Sequence, residues 1–296
     1  MYELVPVGAQ SYYINAPVKI GVYRANETEV YVIDSGNDKE AGKKIRKLCE
    51  QHHWKLKAII NTHSHADHIG GNQYLQHTTG CTVYGYGMEG GFIQYPILEP
   101  AFLYGAYPCK DMRHKFLLAA ESTVTASTRL EKNSFPEELE IIELPGHAFQ
   151  MIGIRTPDNT VFLADSISSA ETLEKYKITF IYDVERYLQT LTMLETLEAA
   201  RFVPAHAEAS SDIKPLIALN RAAVLEISQK IIAICAAPIN FDKIVQALFS
   251  AYGLSMHLEQ YLVVGSTIRS YLSWLKDTGK LAILFKDNTL WWCSSL

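Results

Sequence analysis

The stretch INTHSHADHIG, residues 60–70, places three histidines and one aspartate within six positions. It comes directly after the apolar segment Lys55–Ile60, which predicts a buried strand. Loops that follow such strands are common places for functional groups. Because packing alone rarely requires so many imidazoles at one strand end, the stretch predicts a metal site.

The spacing within this stretch predicts how the side chains are directed. His63 and His65 are two residues apart, so an extended backbone points both to the same side. Asp67 and His68 come where the segment turns into a predicted helix, and they face the same point from another direction. Such a stretch can divide its ligands between two adjacent metal ions. Imidazole and carboxylate without cysteine suit zinc, with iron or manganese as alternatives.

Three residues elsewhere in the chain complete the candidate ligand set. His147 in LPGHAF follows one predicted strand, Asp165 in FLADS ends another, and His206 in VPAHAE follows a third. Four ligands on one short loop cannot complete two coordination shells, so distant ligands are needed. The other histidines lack such a context, and we expect solvated or packing roles for them: His52, His53, His77, His114 and His257.

Composition limits the class of protein. With 296 residues, 48% of them hydrophobic and 20% charged, the chain can form one large domain or a domain with a smaller appendage. A net charge of −5 provides no overall attraction for nucleic acid. Five scattered cysteines without a CxxC pair indicate free thiols in a reducing compartment. Without a signal-peptide pattern or a long apolar run, we expect a cytoplasmic protein that does not enter the membrane.

The order of predicted elements indicates an α+β fold. Residues 1–34 alternate apolar and polar positions as in an antiparallel meander, and a helix is predicted for Asp38–His53. The second half predicts three strands, LEIIEL, MIGIRT and TVFLAD, followed by a helix over Val184–Ala199. Two halves that each deliver strands ending in His or Asp predict two packed sheets with the chemistry at one edge.

Residues 85–130 interrupt this pattern with many glycines, prolines and aromatic residues. A long irregular segment of this kind within a domain is commonly functional. We interpret it as an insertion and a candidate active-site lid, and a homodimer contact is the alternative. Three of its tyrosines are candidate substrate contacts, with core packing as the equal alternative: Tyr95, Tyr104 and Tyr107.

The tail, residues 211–296, predicts three helices and a hairpin, which is a winged-helix pattern. Residues 241–296 carry five basic and four acidic side chains, fewer positive charges than a phosphate-binding module needs. We therefore interpret the tail as a structural or dimerisation module that also walls the active site, with nucleic-acid contact as the alternative.

This set of residues resembles the metallo-β-lactamase superfamily over residues 1–210. The stretch HSHADH matches the HxHxDH motif of that family, and VIDSG at 32–36 is similar to its early strand and turn. The resemblance implies a four-layer αββα sandwich, here followed by a small C-terminal winged-helix-like domain at 211–296. By the family pattern, one metal ion would be held by His63, His65 and His147, and the other by Asp67, His68 and His206. Asp165 would bridge the two ions.

The resemblance is closest to glyoxalase II-like enzymes. It implies a dinuclear-metal-dependent hydrolase that uses a metal-bridging hydroxide on a small ester-like substrate, which is a thioester, a lactone or a related acyl compound. Asp67 would orient the nucleophile or accept its proton. A phosphodiesterase or ribonuclease that acts on nucleic acid is the alternative. A redox member of the family is a third interpretation, but no segment for binding a flavin accompanies the motif.

Three positions depart from the glyoxalase II-like pattern. Alanines stand where that branch usually has glycine beside the bridging aspartate and around the last histidine, at Ala164, Ala205 and Ala207. A methyl group narrows the approach of the backbone there, although no ligand is lost. Asp34, in VIDSG, is expected to tie a turn or to orient a ligand imidazole.

Overall fold

Two sheets form the centre of the molecule, for which a computed structural model describes residues 2–124, 126–127 and 135–295. The larger sheet has seven strands in sequence order, the first four antiparallel and the later neighbours parallel. This confirms the predicted meander over residues 1–34. The strands are β1 Glu3–Pro6, β2 Ser11–Asn15, β3 Ile20–Arg24, β4 Glu29–Ile33, β5 Lys55–Ile60, β6 Thr82–Gly85 and β7 Ala126–Ser127. The final residues of the predicted insertion, 128–130, lie outside the described residues.

The smaller sheet has four strands in the order β11-β10-β9-β8. Its last two strands in sequence are parallel to each other, and the other pairs are antiparallel. The three strands predicted in the second half of the chain are thus confirmed. The strands are β8 Glu140–Glu143, β9 Ile152–Arg155, β10 Thr160–Ala164 and β11 Arg201–Pro204.

Ten helices in the described part of the chain pack outside the sheets or follow them. They are α1 Lys39–Gln51, α2 Ala66–Ile69, α3 Asn72–Thr79, α4 Met88–Gln94, α5 Leu98–Tyr104, α6 Ala170–Tyr176, α7 Val184–Leu194, α8 Lys214–Ile234, α9 Phe241–Tyr252 and α10 Leu258–Asp277. The helix predicted to reach Ala199 ends at Leu194, because tighter turns, such as Thr196 N to Met193 O at 3.1 Å, replace the helical bonds there.

Three apolar clusters define the layers of the fold. One lies between the sheets, where Ile60 of β5 and Phe162 of β10 are buried together. A second packs Ile45 of α1 against the outer face of the larger sheet. The third packs Leu191 of α7 and Ile217 of α8 against the outer face of the smaller sheet. This arrangement is the αββα sandwich that the resemblance implies.

Parallel strands explain why the chemistry collects at one edge. Strands β4 and β5 are parallel neighbours in one sheet, as are β10 and β11 in the other, so the strands of each pair end side by side. The segments that follow them carry Asp34, His63, Asp165 and His206. Residues more than a hundred positions apart in sequence therefore meet at the same edge of the sandwich.

Helices α8, α9 and α10 precede the hairpin of β12 Leu281–Lys286 and β13 Thr289–Ser294. The two-residue turn Asp287–Asn288 has φ values of 52° and 55°, as a type I′ hairpin turn requires. The element order agrees with the predicted tail, while its winged-helix-like role and the domain boundary at residue 210 stay predictions. One buried cluster contains side chains from both the smaller sheet and these helices. None of the described helices combines the length and the apolar composition that a membrane span needs.

Candidate metal centre

The structure brings all seven sequence-predicted ligands into one cluster at the edge of the sandwich. Three groups within it have ligand atoms that all lie within 4.8 Å of one another. The groups are His63, His65 and His147; His63, His68 and Asp165; and Asp67, His68 and His206. The first and third groups contain the residues of the two metal sites that the resemblance implies, and the second group contains Asp165, the implied bridge.

Hydrogen bonds determine which ring nitrogens of the first group are free. His147 Nδ1 lies 3.1 Å from the carbonyl oxygen of Phe180, an acceptor only, so this nitrogen carries the proton. Thr62 Oγ1 donates to Asp34, at 2.7 Å, and therefore accepts from His63 Nδ1 at 3.0 Å. In the neutral rings, Nε2 of His63 and Nε2 of His147 are therefore unprotonated, and each has a free lone pair.

Both lone pairs are directed at the same neighbouring atom. His65 Nδ1 lies 3.0 Å from Nε2 of His63 and 3.0 Å from Nε2 of His147. A single proton can satisfy only one of these contacts. Ligand atoms around a tetrahedral ion are separated by about 3.3 Å when the bonds are 2.0–2.1 Å long. The three nitrogens therefore fit a cation better than they fit one another.

The second half of the cluster has the same property. His68 Nδ1 donates to Asp34 Oδ2 at 2.8 Å, which leaves His68 Nε2 without a proton in the neutral ring. This nitrogen faces Asp165 Oδ1 at 3.2 Å, yet neither of these buried atoms has a hydrogen-bond partner among the described residues. Burial opposes the charge of His68, but the carboxylates of Asp165, Asp34 and Asp67 outweigh it and raise the pKa of His68 well above its usual value. A positive charge, which is either this proton or a metal ion, is therefore needed between Nε2 and Asp165. His206 Nε2 lies 3.4 Å from the other oxygen of Asp165 and 3.6 Å from Asp67.

Asp34 supports the ligands in the way expected of it. Its carboxylate accepts from the backbone nitrogen of Thr62 at 2.8 Å, from the Thr62 hydroxyl and from His68 Nδ1. It adopts φ 65°, and Ala164, directly before the bridging position, adopts φ 49°. The left-handed conformation costs a non-glycine residue about 1–2 kcal/mol. The departure from glycine at Ala164 thus places backbone strain next to Asp165.

Burial and neighbouring charges shift the pKa values of the candidate ligands. Burial, with His147 adding to it, lowers the pKa of His65 to about 3. Burial opposes the charge of Asp67, but His68 and His206 outweigh it and lower the pKa of that carboxyl to about 2. The Asp165 carboxylate raises the pKa of His206 to about 10. At neutral pH the carboxylates are therefore ionised, and the first group of histidines offers free lone pairs.

A cavity of about 700 Å³ lies over the cluster. Five of the seven candidate ligands line it, while His63 and His68 are fully buried behind them. The opposite walls come from the insertion, from α6 and from α10. Their main side chains are Glu99, Leu103, Phe116, Leu117, Lys175, Tyr176, Phe180 and Val263. A small molecule in this cavity would touch the ligand cluster directly.

Residues 15–206 match the family model of the metallo-beta-lactamase superfamily, and all seven clustered residues lie within this range. The chain belongs to the metallo-beta-lactamase superfamily. Among solved structures, a beta-lactamase domain protein from Burkholderia ambifaria superposes with a TM-score of 0.74 at 15% identity, covering 99% of this chain and 93% of the other. A metallo-beta-lactamase family protein from Thermus thermophilus gives 0.69 at 15% identity, covering 99% and 98%. These likenesses show the fold.

Four curated relatives of this superfamily member carry the name hydroxyacylglutathione hydrolase. The protein from Shewanella loihica is 29% identical over 178 residues, which are 60% of this chain and 56% of that protein. The protein from Methylococcus capsulatus is 56% identical over 32 residues, which are 11% of this chain and 12% of that protein. The chain thus matches only part of each relative.

The three tyrosines proposed as substrate contacts lie away from the cavity of this family member. Tyr95, Tyr104 and Tyr107 are 56%, 47% and 73% exposed, and none of them lines the cavity over the ligands. For Tyr104 the reason lies in α5, where Glu99 and Leu103, four residues apart, are buried on the inward face. Tyr104 follows on another face of the helix. The insertion instead contributes Phe116 and Leu117 to the cavity wall.

Two buried acids of the insertion escaped the sequence reasoning. Glu89 is fully buried and accepts from the backbone nitrogen and hydroxyl of Ser64, at 3.0 and 2.6 Å, and from the backbone nitrogen of Gln150 at 2.8 Å. Glu99 Oε1 lies 3.7 Å from His65 Nε2, and burial, with Glu89 and Asp67 adding to it, raises the pKa of Glu99 to about 8. The only local signal is an acid among apolar residues, in MEGGF and LEPAF.

Glu89 joins two ligand loops, because Ser64 lies between His63 and His65 and Gln150 lies three residues after His147. Replacing Glu89 by alanine leaves their buried donors unpaired and releases both loops. We expect the Glu89→Ala protein to bind Zn²⁺ about 10- to 100-fold more weakly, as observed for residues that position ligands. Competition with a chromophoric chelator measures this.

The matched control for Glu89 is Glu121→Ala, an exposed acid of the same insertion. Equal Zn²⁺ affinity in the two variants would show that Glu89 does not position the ligand loops.

Proposed function

We propose that the protein is a dinuclear-metal-dependent hydrolase of a small ester-like substrate, which is a thioester, a lactone or a related acyl compound. One observation carries the proposal. The unprotonated nitrogens of the first group and the carboxylate oxygens of Asp67 and Asp165 converge in two groups that share the space around Asp165, on the floor of an open cavity. Such a set of nitrogen and carboxylate donors suits two divalent cations.

The proposed ligand assignment follows the geometry. His63 Nε2, His65 Nδ1 and His147 Nε2 would hold one ion. Asp67, His68 and His206 would hold the other, and the two oxygens of Asp165 face both groups. Nitrogen and oxygen donors without cysteine favour Zn²⁺, and Fe²⁺ or Mn²⁺ are the alternatives.

Two divalent ions in these places would supply hydroxide at neutral pH and polarise the bond to be cleaved. The residues of the chain supply positioning and proton transfer. Asp67 has a side chain that is 39% exposed and ionised at neutral pH, so its carboxylate can accept a proton at the cavity floor. The buried Asp34 carboxylate contacts His68 Nδ1 and keeps the imidazole of His68 in a single orientation.

The substrate class is supported by the cavity and by the relatives. Apolar side chains such as Leu103, Leu117 and Phe180 face the ligands across the cavity and suit a modest uncharged acyl compound. The name hydroxyacylglutathione hydrolase describes the cleavage of an acyl compound, which favours this class over nucleic acid for the chain.

Metal analysis combined with a substrate panel tests the proposal. We expect the purified protein to carry about two divalent ions per chain, as the two ligand groups require. It should hydrolyse thioesters or lactones, and EDTA should abolish turnover until Zn²⁺ is restored. A phosphodiester and an RNA complete the panel. Hydrolysis that survives EDTA, or cleavage of RNA alone, would contradict the proposal.

A further inference from the structure

We infer that a second chamber beside the candidate metal centre binds an unbranched apolar chain of the substrate. This inference rests on the proposed function and narrows its substrate class to esters or thioesters with such a chain. The chamber, here called the side chamber, has a volume of about 350 Å³. Its apolar walls are Phe116, Leu117, Ile178, Phe180, Val263 and Val264.

The side chamber is continuous with the reaction site. His147, Asp165 and His206 line both the main cavity and the side chamber. A scissile carbonyl held over these ligands can therefore extend one of its two substituents into the side chamber. The chain that enters belongs to the reacting molecule and needs no separate binding site.

The walls come from three parts of the fold and are held firmly. Leu117 of the insertion is buried in a cluster with Leu262 of α10, which fixes one side. Ile178, after α6, and Val264 of α10 are 3% and 2% exposed and belong to the core of the smaller sheet. A preformed apolar chamber favours a chain that fills it, because little ordering is needed on binding.

Two aromatic side chains that line both the main cavity and the side chamber are largely exposed to solvent. Phe116 is 60% exposed and Tyr176 is 43% exposed, and both line the main cavity and the side chamber. Exposed apolar surface beside a cavity is typical of a ligand-binding site. An apolar chain would cover these rings as it enters.

The lining of the side chamber suits an uncharged substituent better than a strongly anionic one. Among the described residues, no lysine or arginine lines it, and Lys175 lines only the main cavity. Glu259, which also lines the side chamber, is paired with His114, and the distance from His114 Nε2 to Glu259 Oε1 is 3.0 Å. A substituent that carries carboxylates would lose its hydration there, and the basic side chains on the described lining are histidines, with His257 the one outside the ligand set. An uncharged chain has no such cost.

The chain-length dependence of turnover tests the inference. One arm uses thioesters of a single small thiol with acyl groups from acetyl to octanoyl, and the other uses acetyl thioesters of alkyl thiols of increasing length. We expect kcat/KM to rise about three- to fourfold per methylene in one arm until the chamber is full. The responding arm identifies the side of the ester that enters. Turnover without chain-length dependence in both arms overturns the inference.

A binding measurement separates this inference from the proposed function. Calorimetry of the zinc-loaded protein with unbranched carboxylates, from acetate to octanoate, needs no turnover. Affinity that rises with chain length supports the side chamber even if no ester or thioester is hydrolysed, in which case only the proposed function fails. Equal affinity for all lengths overturns the inference.

Filling the side chamber provides a third test. Val263→Phe places a ring where a chain would lie, and we expect the ratio of kcat/KM for the longest chain to kcat/KM for the shortest chain of the responding arm to fall by about tenfold or more. Leu258→Phe is the control, since Leu258 lies on the same helix, is 38% exposed and lines neither cavity. Zinc content and melting temperature identify any loss of folding. An unchanged ratio in a folded Val263→Phe protein overturns the inference.

Discussion

Replacing Asp165 by alanine is expected to lower kcat/KM by about a thousandfold or more, because the two proposed metal sites would lose the ligand that they share, and with it several kcal/mol of transition-state stabilisation. Asp165 Oδ1 faces His68 Nε2 at 3.2 Å, and Oδ2 lies 3.4 Å from His206 and 3.5 Å from His147. No other described carboxylate lies between the two groups. Elemental analysis should show fewer than two ions per chain, and a thioester assay measures the rate.

Two further variants make the Asp165 result specific. Asp165→Asn keeps the size of the side chain and removes its charge, so a loss of metal in this variant cannot come from a cavity. Asp277→Ala removes a carboxylate that is 79% exposed and far from the ligands in the fold, and it should keep both metal and rate. Full metal content and full activity in Asp165→Ala would refute the shared-ligand geometry.

Gly146→Ala is expected to lower the free energy of unfolding by about 3–5 kcal/mol, from overpacking together with a strained backbone. Gly146 has φ 122°, and a Cβ there would lie 2.3 Å from the backbone nitrogen of Tyr187 in α7. Its carbonyl oxygen also accepts from Tyr182 and Asp183. The methyl group must push α7 away from the loop that carries His147. Chemical denaturation measures the loss, and the affinity for Zn²⁺ should fall with it.

Gly91 provides the matched control for this substitution. It lies within α4, without a positive φ, and a Cβ there would meet nothing within 4 Å. Gly91→Ala should therefore leave Zn²⁺ binding unchanged and stabilise the protein by about 0.5–1 kcal/mol through helix propensity. Equal stability of the two alanine variants would show that the contact of Gly146 with α7 has no energetic importance.

Local periodicity predicted much of the fold because the hydrophobic pattern of a strand or helix is written in consecutive residues. The strand before His63, the meander of residues 1–34 and the hairpin near the C-terminus all follow from such patterns. The end of α7 was predicted five residues too late, because leucines continue to pack as far as Leu197 after the helical hydrogen bonds have ended. Side-chain periodicity reports burial and does not report the backbone bonds that define a helix end.

The candidate ligands could be predicted for a related reason. His63, His65, Asp67 and His68 are neighbours in sequence, and their number in one short loop is informative without any tertiary contact. The residues that surround the ligands carry no such local mark. Glu89 reaches Ser64 and Gln150 only because β6 and α4 return the chain to the same edge. The tyrosines of the insertion were predicted as substrate contacts from composition, whereas the exposure of Tyr95, Tyr104 and Tyr107 depends on how the insertion folds.

By itself, the sequence determined the predicted strands and helices and the cluster of candidate ligands at residues 63–68, because these depend on residue types at local spacing. The αββα arrangement and the division of the seven ligands between two metal sites were implied by the family resemblance. Only the tertiary structure decided which nitrogens are unprotonated, which acids hold the ligand loops and which side chains line the cavities. Those properties depend on contacts between distant segments, such as Asp34 with His68 or Leu117 with Leu262. Distances of 3 to 4 Å between such segments are set by packing, and no local pattern records them.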